Sequence, residues 1–109
     1  MEDGQTWAVE CYSPGIDRGK VERAGGRAAA EADQLSTSVE SVQYVGALLV
    51  PGDEVVFHLF SAGSADPVRE ASTRAGIEFE RVLESVPFGI DGLQIPWHPK
   101  SANTTQEAR

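Results

Sequence analysis

Hydrophobic and polar residues alternate along residues 6–12, and this period of two predicts a β-strand. Residues 17–35 instead carry apolar side chains three and four positions apart, which predicts one apolar stripe along an α-helix. The stripe consists of Val21, Ala24, Ala28, Ala32 and Leu35. Gly25 and Gly26 lie inside this helix, where each costs about 1 kcal/mol relative to alanine. A close packing contact would explain small residues there.

Two further apolar runs, residues 41–50 and 54–62, predict the second and third strands. The sequence Pro-Gly-Asp at 51–53 separates them. Such a short segment, rich in turn-forming residues, predicts an antiparallel hairpin between the two strands.

The second helix is predicted over residues 64–76, followed by a fourth strand over 78–86. Asp66 is expected to cap the helix, with Pro67 in its first position, where the missing N–H has no cost. Gly76 is placed for the left-handed residue that commonly ends a helix.

The resulting order, β-α-β-β-α-β, predicts an α+β fold of the ferredoxin-like type. Its four-stranded antiparallel sheet carries both helices on one face, and the expected strand order is 4-1-3-2. We expect one such domain over residues 1–100, with a Pro- and Gly-rich C-terminal extension from about residue 87. Residues 101–109 are polar and predict a disordered tail.

Composition excludes several classes of function. The 109 residues carry a net charge of −8, and no basic stripe offsets it, so a nucleic-acid partner is not expected. No apolar run approaches the roughly 20 residues of a membrane span, and no signal peptide is recognisable. The single cysteine, Cys11, excludes an internal disulfide and falls on the inward side of its strand. We therefore expect a cytoplasmic protein without a membrane partner.

The third strand is apolar on both sides, because Val55, Phe57 and Leu59 alternate with Val56, His58 and Phe60. A sheet that is apolar on both faces must be covered on both. We expect a homodimer in which two sheets pack into a dimeric α/β barrel with a cleft between them; the C-terminal extension is the alternative cover. The expected cleft-lining residues are Tyr12, Tyr44, Phe60 and Trp97.

A candidate site follows from assigning strand faces by alternation. Glu10 lies on the face away from the helices, and we assign His58 to that face, with Glu84 joining from the fourth strand. The helix side would then hold Trp7, Val9, Cys11, Val55, Phe57 and Leu59. An imidazole among carboxylates can bind a divalent transition metal, or it can form a salt-bridged cluster with the histidine protonated.

Residues 51–86 resemble a family of small bacterial ferredoxin-like proteins of unknown function that includes nickel-binding members. The segments 10–15 and 42–51 fit the same pattern. The resemblance implies a homodimer with metal in or near the cleft between subunits, and it carries over Glu10 and His58 as site residues. Nickel, or another divalent transition metal, is the cofactor that it implies.

The leading hypothesis is therefore a homodimer that binds nickel without turnover through His58, Glu10 and Glu84. One alternative is a small cofactor-free enzyme of the monooxygenase, isomerase or cyclase type. It would act on an apolar organic substrate in the same cleft, with His58 shuttling protons. A further alternative is a structural or regulatory dimer that binds no ligand.

The homodimer prediction is tested by sedimentation at micromolar concentration. The expected species has twice the chain mass of 11.7 kDa, because pairing two sheets would cover the second apolar face. A clean monomer would contradict the cleft between two subunits.

Overall fold

The computed structural model describes residues 4–37 and 40–87, and it forms one antiparallel sheet with two helices. The strands follow the order β2-β3-β1-β4, so the ferredoxin-like α+β fold and the predicted strand order are confirmed. No helix within the described ranges is long and apolar enough to cross a membrane. The elements are β1 Gln5–Tyr12, α1 Arg18–Leu35, β2 Val42–Val50, β3 Val55–Ala62, α2 Ala65–Arg74 and β4 Arg81–Ser85.

Helix α1 packs its small residues against the sheet. Asp17 caps its first turn by accepting a hydrogen bond of 2.8 Å from the Lys20 backbone N–H. The predicted apolar stripe faces the core, and the fully buried positions are Gly25, Ala28 and Ala32. Because these side chains are small or absent, the helix backbone approaches strand β2 closely.

Helix α2 begins at Ala65, within the predicted range but two residues before Pro67, and the prediction that Asp66 caps it is wrong. Ser64 occupies the cap position without a side-chain cap hydrogen bond. Asp66 lies one residue inside the helix, with 94% of its side chain exposed, and pairs with Arg69 at 3.3 Å. The prediction that Pro67 is the first helical residue is also wrong, because it is the third. Its missing N–H has no cost there either, since the N–H groups of the first turn have no partner inside the helix.

The end of α2 follows the prediction for Gly76, which has a left-handed φ of +76°. Its N–H donates to the Thr73 carbonyl at 3.0 Å, and the Ile77 N–H donates to the Ser72 carbonyl at 3.0 Å. These two bonds form a Schellman motif, which glycine allows without a Cβ penalty. The reversal carries the chain back toward the sheet and buries Ile77.

The prediction of which β3 side chains face the helices is wrong, because the two alternating sets are exchanged. Val9 lies directly opposite His58 in the antiparallel ladder, so the two side chains share the helix-covered face. Val56 and Phe60 share that face and are buried in the core. Alternation within one strand cannot say which of its two sets faces the helices; the register between strands decides this.

The face away from the helices carries the other set of strand residues. Glu10, Phe57 and Leu48 lie side by side across three strands, and Leu48 is 56% exposed. Tyr12 and Val50 are also exposed large side chains on this face. The sheet is thus apolar on both sides, as the sequence indicates, and homodimer formation through this face stays a prediction.

The two adjacent glycines of α1 differ in their surroundings, which gives a matched pair of substitutions. A Cβ on Gly25 would lie 2.6 Å from the Tyr44 hydroxyl oxygen, whereas a Cβ on Gly26 meets nothing within 4 Å. We expect Gly26→Ala to stabilise the protein by about 1 kcal/mol through helix propensity. Gly25→Ala should destabilise it by about 1–3 kcal/mol, because the tyrosine must move.

Urea unfolding of the two variants measures both effects. Equal stabilisation by the two alanines would contradict the close contact between α1 and Tyr44.

Candidate functional site

A cavity of about 450 Å³ lies between helix α1, the end of strand β1 and the segment that follows α2. Buried side chains form its floor, namely Cys11, Val56, His58 and Ile77. Ile16, Val21 and Ala24 add apolar wall. Cavities that hold small organic molecules have volumes of about 300–1,000 Å³, a range that includes this one. Its lining is about equally polar and apolar.

His58 is held in the floor of this cavity by Tyr44. Only 3% of the histidine is exposed, and its Nδ1 lies 2.8 Å from the Tyr44 hydroxyl. The rings of Tyr44 and Phe60 pack in a T-shaped arrangement, with centroids 5.3 Å apart. His58 has no other hydrogen bond within the described part of the chain, so Nε2 is the ring nitrogen left for an occupant of the cavity.

Both partners of this hydrogen bond are neutral near neutral pH. Burial, followed by the charge of Arg27, lowers the pKa of His58 to about 4. Burial, followed by Cys11, raises the pKa of Tyr44 to about 12. Nδ1 is the one acceptor for the Tyr44 hydroxyl among the described residues. When the hydroxyl donates there, Nε2 carries the imidazole proton and becomes a donor toward the cavity.

Cys11 points inward, as predicted from its strand. Burial, with smaller contributions from Glu80 and Glu10, raises the pKa of its thiol to about 11. The sulfur lies 3.7 Å from the Val9 carbonyl oxygen, to which it can donate. The thiol is therefore protonated at neutral pH, and since the thiolate is the reactive form, it is a poor nucleophile.

Three cations of helix α1 line the mouth of the cavity: Lys20, Arg23 and Arg27. They are spaced three and four residues apart, so they share one flank of the helix. The Arg27 Nε donates to the Ala75 carbonyl at 2.8 Å, and this bond ties α1 to the end of α2. The terminal nitrogens of the guanidinium have no hydrogen-bond partner among the described residues. Glu78 is the one carboxylate among the lining residues that the structure describes.

The three residues predicted to bind metal are not brought together. Glu10 lies on the opposite face from His58, and its carboxylate accepts a hydrogen bond from Arg81, whose pKa it raises. Glu84 lies on the edge strand, opposite Trp7, and accepts a bond of 3.0 Å from the Gln5 side chain.

These three residues therefore do not fit a shared metal ion. The described residues also contain no other group of three or more His, Cys, Asp or Glu side chains placed to hold one. Nickel binding by this chain stays a prediction of the sequence.

The residues predicted to line an intersubunit cleft have separate places. Phe60 lies on the helix-covered side of β3 with His58, and Tyr44 lies directly opposite Phe60 on β2, so both face the helices rather than the open face. Tyr12 lies at the end of β1, is 56% exposed and also borders the cavity. Trp97 lies outside the described residues.

The cations at the mouth are concealed by the net charge of the whole chain, which is −8. Their signal is present in the sequence as a spacing of three and four along a predicted helix. The cavity itself could not be predicted, since it depends on where the segment after α2 crosses α1.

His58 should make the stability depend on pH in the acid range. Its pKa is about 4 in the folded protein and about 6.5 unfolded, so the unfolded chain binds the proton first as the pH falls. We expect no effect at pH values above the unfolded pKa of about 6.5. As the pH falls to about 4, the free energy of unfolding should decrease by about 3 kcal/mol.

Urea unfolding of the wild type and of His58→Gln across this range isolates the contribution, because carboxylate titration is common to both proteins. Titration of the His58 ring by NMR measures the pKa directly. A value near 6.5 would contradict the buried, neutral ring.

Comparison with protein-family models gives no match, and comparison with curated proteins gives none. Among solved structures, the chain is similar to the crystal structure of SCO4226 from Streptomyces coelicolor A3(2). The TM-score is 0.61 and the sequence identity 23%, and the match covers 78% of this chain and 99% of that chain. This likeness supports the ferredoxin-like fold of the chain.

Proposed function

We propose that this chain binds a small organic molecule in the cavity beneath α1, with the apolar part of the ligand on the cavity floor. The observation that carries the proposal is the buried His58 ring, whose Nδ1 is occupied by Tyr44 and whose Nε2 is left for an occupant. A single donor in an apolar floor suits a carbonyl, hydroxyl or carboxylate oxygen on an otherwise apolar molecule.

The ionisation states of His58 and Cys11 favour binding of a ligand over its chemical conversion. A general base works best when its pKa lies near the working pH, and that of His58 is about 4. Nucleophilic attack by Cys11 would require a thiolate, whose formation burial opposes. We therefore assign His58 the role of a fixed hydrogen-bond donor that orients the ligand.

A cavity-filling substitution tests the location of the site. The probe is N-phenyl-1-naphthylamine, an uncharged dye whose fluorescence rises in apolar surroundings. We expect saturable binding to the wild type and loss of binding in Ala24→Phe, because the new ring would occupy the cavity. Thermal unfolding of the variant checks that it remains folded.

Leu48→Ser is the matched control on the opposite face of the sheet. It should leave the affinity for the dye unchanged. If Leu48→Ser abolishes binding and Ala24→Phe does not, the dye occupies the open face and the proposed site is wrong.

A further inference from the structure

The charges around the cavity differ from those of the whole chain. The chain carries a net charge of −8, yet the described lining residues include three cations and one carboxylate. The mouth therefore has two positive charges in excess. Such a local excess attracts an anion into the cavity even when the protein as a whole is acidic.

The cations at the mouth form no salt bridge with a carboxylate of the described residues. Arg69, Arg74 and Arg81 each form a salt bridge. Lys20 and Arg23, in contrast, have no such partner among the described residues, and the Lys20 ammonium donates only to the Gly15 carbonyl at 3.3 Å. Their charges remain available to a ligand.

Four side chains of the site are donors toward the cavity, whereas Glu78 is an acceptor and the hydroxyls of Tyr12 and Ser13 can do either. Lys20, Arg23 and Arg27 can only donate, and the Nε2–H of His58 donates from the floor. A ligand that satisfies them must be rich in acceptor oxygens. A guanidinium binds carboxylate and sulfonate oxygens well, because its N–H groups form a planar fork.

Building on the proposed function, we infer that the ligand is an organic anion, with its carboxylate or a similar oxyanion at the cationic mouth and its apolar body on the floor. Lys20 and Arg23 are the residues that select for the charge. Arg27 contributes as well, but its bond to Ala75 also gives it a structural role.

Two dyes with the same ring skeleton test this inference. The anion is 1-anilinonaphthalene-8-sulfonate, and the neutral counterpart is N-phenyl-1-naphthylamine, which lacks the sulfonate. The double variant Lys20→Gln, Arg23→Gln should raise the Kd of the sulfonate by about tenfold or more and that of the amine by less than about twofold. Raising the ionic strength should weaken sulfonate binding to the wild type more than to the variant.

Two further variants separate the effect of the charges at the mouth from the effect of the total charge of the protein. Arg69→Gln, Arg74→Gln removes the same number of positive charges from the exposed side of α2, and should change either Kd by less than about twofold. Glu78→Gln removes the carboxylate from the lining. It should lower the Kd of the sulfonate and leave the Kd of the amine unchanged.

The outcomes distinguish the two proposals. If both dyes bind in the cavity but the mouth variants change their affinities equally or not at all, selection for an anion is overturned and the proposed function stands. If neither dye binds the wild type, both proposals are overturned.

Discussion

The hydrogen bond between Tyr44 and His58 is the contact around which the helix-covered side of this protein is arranged. Gly25 lacks the Cβ that would meet the tyrosine hydroxyl, so α1 can lie directly over it. A buried hydroxyl without an acceptor would cost about 1–3 kcal/mol, and His58 Nδ1 supplies that acceptor. The same bond leaves the other nitrogen of the ring for the cavity. Packing of the helix and chemistry of the site therefore depend on one interaction.

Burial determines what this group can do. Removing His58 and Cys11 from water favours their uncharged forms, so neither is suited to move a proton or attack a substrate at neutral pH. A rigid neutral donor is nevertheless useful for recognition, because its position and proton are both fixed by Tyr44. The charged groups lie instead at the mouth, on α1, where water can solvate them when the cavity is empty.

The distribution of charge separates the two faces of the sheet. On the open face, Glu10 and Arg81 neutralise each other. On the helix side, the cations of α1 lie beside a cavity and face few carboxylates. A net charge therefore describes this protein poorly. An acidic chain can still present a local cationic site, provided that helical spacing gathers its basic residues on one flank.

Sequence alone determined the elements of this fold and their order. Periods of two and of three to four predicted the strands and the apolar stripe of α1, and Gly76 predicted the end of α2, because these signals act over a few neighbouring residues. The capping prediction for Asp66 was wrong because the helix begins at Ala65, with Ser64 in the cap position, so Asp66 lies inside the first turn.

Tertiary structure alone decided which face each strand presents. Strand β3 is apolar on both sides, so its pattern is compatible with His58 facing either way, and only the pairing of Val9 with His58 selects the helix side. That choice separates His58 from Glu10 and brings it to Tyr44 and the cavity. A one-residue difference in register, invisible in the sequence, thus decides between a cluster of carboxylates and a cationic pocket as the surroundings of the histidine.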